Sequence, residues 1–267
     1  AIYLLGMEIP VSQACPCPSA HRRLMDLHED IHRAVEHYFD ENEFRRWLNS
    51  AIQNSRGVTF LLQKQKVKWP DFDTWYGRWQ EEARKNLVLG WGVTARKRTV
   101  KEEDLAALSQ AVIGVYDTHR RGYEEVFAVP PSVPPGVIVD SFIKVGERDG
   151  KERKGWIRIE RRWIDDQLPE YELVAALSEM YRAAAEAVKL AHTASEIEAC
   201  DLPAFARECV TREIDPALHC LGSGNPVPTM MLEVETGKVL MAGYLGVERD
   251  DSEEFARFGR ERYGEPL

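Results

Sequence analysis

The chain has 267 residues, 44% of them hydrophobic and 30% charged, which excludes a disordered or collagen-like protein and fits an ordinary globular one. Its net charge of −9 is unevenly placed, since Arg45 to Lys101 holds 13 Lys and Arg against 4 Asp and Glu. That asymmetry excludes a uniformly polyanion-binding surface. It leaves two readings: one basic region facing an anionic partner, or a basic region docking on an acidic one within the chain.

In chain order, the opening AIYLLGMEI is too short to span a bilayer and lacks the basic region and cleavage site of a secretory signal. A cytoplasmic location without membrane contact is the expectation. Five cysteines, an odd number, fit reduced thiols rather than a disulfide framework. Cys15 and Cys17 in ACPCPSAH, together with His21, could begin a metal site completed by Cys209, His219 and Cys220. No pair among them has the usual zinc spacing, so they are read as free thiols.

From Ser19, placed to cap, to about Tyr38, the residues Leu24, Leu27, Ile31, Val35 and Tyr38 recur at helical spacing. FDENEF breaks that helix, and a second carries the stripe Phe44, Trp47, Leu48, Ala51, Ser55, Thr59 and Leu62. The Trp69-Pro70 step ends it. Asp71 or Asp73 is placed to cap a third helix with Phe72, Trp75, Tyr76 and Trp79, and a fourth runs from about Leu87 into Arg98. The joints are short, as in a helical bundle.

Beyond Asp104 the pattern changes. LSQAVIGVY, GVIVDSFIKV and GWIRIERRW are β-branched or alternating, and turn-rich segments separate them, so all three read as strands. Asp165 and Asp166 are placed to cap a long helix, about 169–195, that carries Leu173, Leu177, Tyr181, Val188 and His192. A short helix is expected within 201–219. MMLEVETGKVLMAGYL reads as a hairpin turning at Thr236-Gly237, before a charged tail. The fold class is therefore α+β, with a lead-in at 1–18, a helical bundle at 19–105, a mixed domain with antiparallel strands at 106–247 and a tail at 248–267.

Two motifs carry candidate chemistry. The first is ARKRTVKEEDL, residues 95–105, preceded by FRRWLNSAIQNSRGVTFLLQKQK and PDFDTWYGRWQ. Over about residues 20–105 this resembles the bacterial HEPN-superfamily helical domains, whose RNxxxH motif is the site of a metal-independent RNase. Aligned on that motif, Arg96 keeps the arginine, while Lys97 and Lys101 stand where asparagine and histidine would be. A lysine near its ordinary pKa of about 10.4 cannot serve as a base at neutral pH. The resemblance thus implies a degenerate nuclease motif whose Arg96, Lys97, Arg98 and Lys101 still hold phosphates. It also implies a defence or toxin–antitoxin setting and a homodimer formed through the helices. An RNase with an altered base is the alternative. Five of the seven tryptophans fall in the basic region, and Trp47, Trp75 and Trp79 lie on apolar stripes that point to core positions.

The second motif is HEDIH, residues 28–32, an HExxH on a helix that would make His28 and His32 zinc ligands and Glu29 the base of a hydrolase. Asp30 and Arg33 are out of place in such a helix, and no third ligand is announced. Boundary histidines on an amphipathic helix are the competing reading, and no metal is assigned. Nucleotide, Walker and GxSxG signatures are missing, so no cofactor is expected. The sequence reads as a non-catalytic protein whose basic helices engage RNA or an acidic protein surface.

Overall fold

The computed structural model describes residues 3–4, 7–8, 14–101, 107–117, 120–130, 132–133, 135–148, 150, 156–197, 200–202, 229–234, 236, 239–242 and 248–250. The fold is α+β. Six helices are described, α1 Pro18–Glu36, α2 Glu41–Lys64, α3 Phe72–Lys85, α4 Leu87–Lys101, α5 Pro135–Arg148 and α6 Leu173–Thr193. A short pair, β1 Tyr3–Leu4 and β2 Met7–Glu8, precedes them. The other strands are β3 Ala107–Asp117, β4 Arg120–Ala128, β5 Trp156–Asp165, β6 Thr229–Glu233, β7 Val239–Ala242 and β8 Glu248–Asp250.

The chain divides into two compact units. The first takes 1–33, 46–105 and 176–220, and the second takes 34–45, 106–175 and 221–267. Helices dominate the first. Leu24, Leu27 and Ile31 of α1 are fully or almost fully buried, as are Leu48 and Leu62 of α2, where the spacings expected from the sequence place them, and Ile52, outside that expected stripe, is buried as well. Asp30 of α1 accepts hydrogen bonds from Ser50 Oγ (2.8 Å) and Asn54 Nδ2 (2.6 Å) of α2, which locks the register of these two helices. Asn86 separates α3 from α4 and caps the latter, its Oδ1 accepting from the amides of Val88 (2.9 Å) and Leu89 (3.2 Å).

In the second unit all strand pairs are antiparallel, in the order β4-β3-β5-β6-β7-β8. β3 and β5 run in register from Ala107↔Asp165 to Tyr116↔Trp156. Odd positions of β5 are inward, so Ile157 and Ile159 pack with Ile138, Val139 and Phe142 of α5 and with Met230 and Leu232 of β6. The hairpin expected around Thr236 is formed by β6 and β7.

Several local expectations need correction. GVIVDSFIKV is not a strand but most of α5. Pro135 occupies the first helical position, where a missing N–H costs nothing, and Ile138, Val139 and Phe142 form a helical stripe whose burial outweighs β-branched propensity. RRGYEEVFA, for which the sequence pattern gives no element, is strand β4. Asp71 precedes α3 in a left-handed conformation (φ 53°) and makes no side-chain cap. Asp165 does not cap α6 either: it accepts from the Gln167 amide (2.8 Å) in the turn after β5, while Glu172 Oε2 caps α6 through Val174 (2.7 Å) and Ala175 (3.0 Å). The short helix expected within 201–219 and the charged tail lie outside the described residues, apart from 201–202 and 248–250.

Candidate functional site

Two features of the first unit gather chemically distinctive side chains. One is a cluster of two thiols and two imidazoles. The segment before α1 delivers Cys15, and the first turn of α1, where the His21 amide donates to the Cys17 carbonyl (2.9 Å), delivers His21. The last turn of α6 delivers His192, and the chain that follows returns with Cys200. Cys15 Sγ lies 3.5 Å from His21 Nδ1 and 3.6 Å from His192 Nε2, and Cys200 Sγ lies 3.5 Å from the same His21 Nδ1. All four donor atoms fall within 4.8 Å of one another, and the His21 and His192 rings meet edge to face at 5.6 Å.

The backbone holds this arrangement. The turn after α6 is a Schellman motif in which the amides of Glu196 (3.0 Å) and Ile197 (3.1 Å) donate to the carbonyls of Thr193 and His192. Glu196 adopts the left-handed conformation that the motif requires (φ 55°). The Trp69 indole donates to Ser195 Oγ (2.9 Å), and the Cys15 amide donates to Asp201 Oδ1 (3.0 Å). A hydrogen bond from the buried Cys17 thiol, and smaller ones from His192 and His21, draw the Cys15 thiol far below its ordinary pKa. That same bond and burial push Cys17 up, and burial raises Cys200 to about 11. The far nitrogen of His21, Nε2, is buried without a hydrogen-bond partner among the described residues.

The second feature is a groove of about 440 Å³ lined by α2, α3, α4 and α6. Gly90, Gly92, Met180, Ala183 and Ala184 contribute apolar surface, Trp79 stands at one side, and Arg56 and Arg84 bring charge, with no Asp or Glu in the lining among the described residues. A Cβ at Gly90 would meet nothing within 4 Å, whereas one at Gly92 would run into Met180 Cε at 2.7 Å. Gly92 thus permits close approach of Met180 of α6, and Gly90 leaves the groove open. One turn beyond Val93, α4 presents Arg96 and Lys97, both exposed. Arg56, Arg84, Arg96 and Lys97 make no ion pair among the described residues.

Of the residues singled out from sequence, Cys15 and His21 do meet, but their partners are His192 and Cys200. Cys209, His219 and Cys220 lie outside the described residues. Cys17 stands beside the cluster and is not one of its four donors. His28 and His32 are buried with rings 4.5 Å apart, His28 also packs at 5.7 Å from Tyr181, and no third His, Cys or carboxylate joins them among the described residues. Glu29 of that motif pairs with Arg33 (3.0 Å). Arg96 and Lys97 are exposed, Arg98 is half-buried, and the side chain of Lys101 lies outside the described residues. The tryptophans sort differently from the expectation, because Trp69 and Trp91 are buried while Trp47, Trp75 and Trp79 are half-buried.

Comparison with known proteins places the chain in a family. The family model described as bacteriophage lambda protein ea47 matches residues 10–265. The chain belongs to the bacteriophage lambda ea47 family. Protein ea47 of Escherichia phage lambda is 29% identical over 164 residues, a stretch that is 60% of this chain and 40% of that relative. No solved structure matches. Membership of the ea47 family overturns the HEPN resemblance and with it the degenerate nuclease motif. The physical source of the misreading is plain: FRRWLNSAIQNSRGVTFLLQ matches through the periodicity that any amphipathic helix with a buried stripe shares, and 95–101 is simply the end of α4. No helix among the described residues is long and apolar enough to cross a membrane.

Proposed function

We infer that this chain is a non-enzymatic binding protein whose basic helical region engages RNA. One observation supports the reading best: the groove lined by α2, α3, α4 and α6 carries Arg56 and Arg84 and, among the described residues, no acidic side chain, in a chain of net charge −9. The exposed Arg96 and Lys97 extend that cationic surface along α4. Half-buried Trp79 offers the groove an aromatic face on which a base stacks, and stacking contributes about 1–3 kcal/mol per base. No nucleophile and general-base pair lines the groove, so the chemistry available there is recognition.

The test is the salt dependence of binding to a single-stranded RNA. Each phosphate neutralised contributes a logarithmic slope of about −0.7, so four contacts from Arg56, Arg84, Arg96 and Lys97 give roughly −3. Replacing the four by Gln flattens the slope with little loss of stability, because exposed charges contribute little to folding. Gly90→Leu fills the groove and weakens binding while leaving the slope of residual binding nearly intact. An acidic protein partner is the rival outcome. It is indicated if the parent shows no measurable affinity for RNA and the quadruple variant keeps its melting temperature.

A further inference from the structure

We propose that Cys15, His21, His192 and Cys200 bind one zinc ion in a closed, structural tetrahedral site. A tetrahedral ion with Zn–S near 2.3 Å and Zn–N near 2.05 Å holds each sulfur about 3.6 Å from each nitrogen. Three of the four sulfur–nitrogen separations in the cluster are 3.5, 3.6 and 3.5 Å, and all four donor atoms lie within 4.8 Å of one another. Hydrogen bonding alone does not explain them. A neutral imidazole nitrogen has one lone pair in the ring plane, yet the sulfurs of Cys15 and Cys200 both stand 3.5 Å from His21 Nδ1. Whether Nδ1 offers that lone pair or, in the other tautomer, a single N–H, the two sulfurs must share it, whereas a cation at the centre accepts one lone pair from each of the four donors.

The donor set selects the element. Two thiolates and two imidazoles in tetrahedral array suit zinc, and hard cations that prefer carboxylate and carbonyl oxygen find none among the four. Two thiolates also cancel the charge of a divalent ion, so the loaded site is neutral in its half-buried setting. Four protein donors leave no position open for water or substrate, which makes the ion a staple and not a catalyst. Its placement has the same meaning, because it ties the segments flanking the start of α1 to those flanking the end of α6 across 177 and 179 residues of sequence.

Elemental analysis of the 267-residue chain, purified from cells grown with zinc and without chelator, is expected to give one zinc per chain and no stoichiometric iron. Cys200→Ser and His192→Gln lose the ion, while Cys17→Ser and the double variant His28→Ala/His32→Ala retain it. Should the ligand variants fail to fold, cobalt exchanged into the wild-type chain reads the donor set directly, through the intense d–d bands of a tetrahedral ion and thiolate-to-cobalt charge transfer. Protein that is metal-free and takes up neither zinc nor cobalt overturns the proposal, as does an octahedral cobalt spectrum or stoichiometric iron. Zinc lost only in the His28/His32 variant also overturns it.

Discussion

Glu172 illustrates what one proton does at the scale of a residue. Its Oε2 accepts from the amides of Val174 and Ala175, its Oε1 lies 2.9 Å from the Tyr38 hydroxyl, and burial pushes its pKa up to about 7. Tyr38 has a second acceptor in the Arg161 carbonyl at 2.5 Å. A single hydroxyl proton cannot serve both. In the protonated state Glu172 donates to the Tyr38 oxygen and Tyr38 donates to Arg161, so every partner is satisfied. The ordinary glutamate value is near 4.5, and the folded value lies above it, so the folded state holds the proton more tightly. The contribution of Glu172 to stability is therefore greatest below about pH 4.5 and is lost as pH rises through about 7, a decline of about 3 kcal/mol. Urea unfolding from pH 4.5 to 7.5 should show this decline, and Glu172→Gln, which keeps an acceptor for the helix amides, should flatten it. An unchanged pH profile in that variant would exclude Glu172 as the source.

At the scale of elements, the turn that follows α6 stores strain in the service of position. Glu196 sits at φ 55°, where a side chain costs about 1 kcal/mol relative to glycine, and the same turn returns the chain so that Cys200 meets His21. Glu196→Gly is thus expected to raise stability by about 0.5–1 kcal/mol in thermal or urea melts without changing metal content, and a destabilised variant would show that the Glu196 side chain makes a contribution of its own. The same local chemistry decides which elements were legible in the sequence. α1, α2 and α6 could be read because their buried residues fall at strict helical spacing, and β5 because Ile157 and Ile159 alternate in sequence with Arg158 and Glu160. α5 was misread because Val137, Ile138 and Val139 favour strand locally, and only packing on the sheet resolves the conflict in favour of helix. β4 was missed because RRGYEEVFA is charged at one end and carries a glycine; its strand character comes from pairing with β3 from Gln110↔Ala128 to Asp117↔Arg120.

For the whole molecule, the thiol–imidazole cluster is a long-range object. Cys15 and His21 drew notice in the sequence, but a zinc motif is recognised by short ligand spacing, and here each local pair supplies only half a site. The signal that was present is a thiol and a histidine near each of two helix ends, five residues between Cys15 and His21 and seven between His192 and Cys200. Nothing local specifies that those ends meet. Because the two halves come together only on folding, the unfolded chain has no assembled site, and zinc binds the native state in preference. Linkage then fixes how the fold responds to the ion: once free zinc exceeds the dissociation constant, each tenfold increase adds about 1.4 kcal/mol to the stability of the first unit, less whatever the separated thiols bind when unfolded. Urea midpoints measured in a series of metal buffers should climb steadily with free zinc in the wild-type chain and stay level in Cys200→Ser. A midpoint that ignores free zinc in the wild type would mean that the four donors meet without the ion and that the packing of α1 against α6 suffices to hold them.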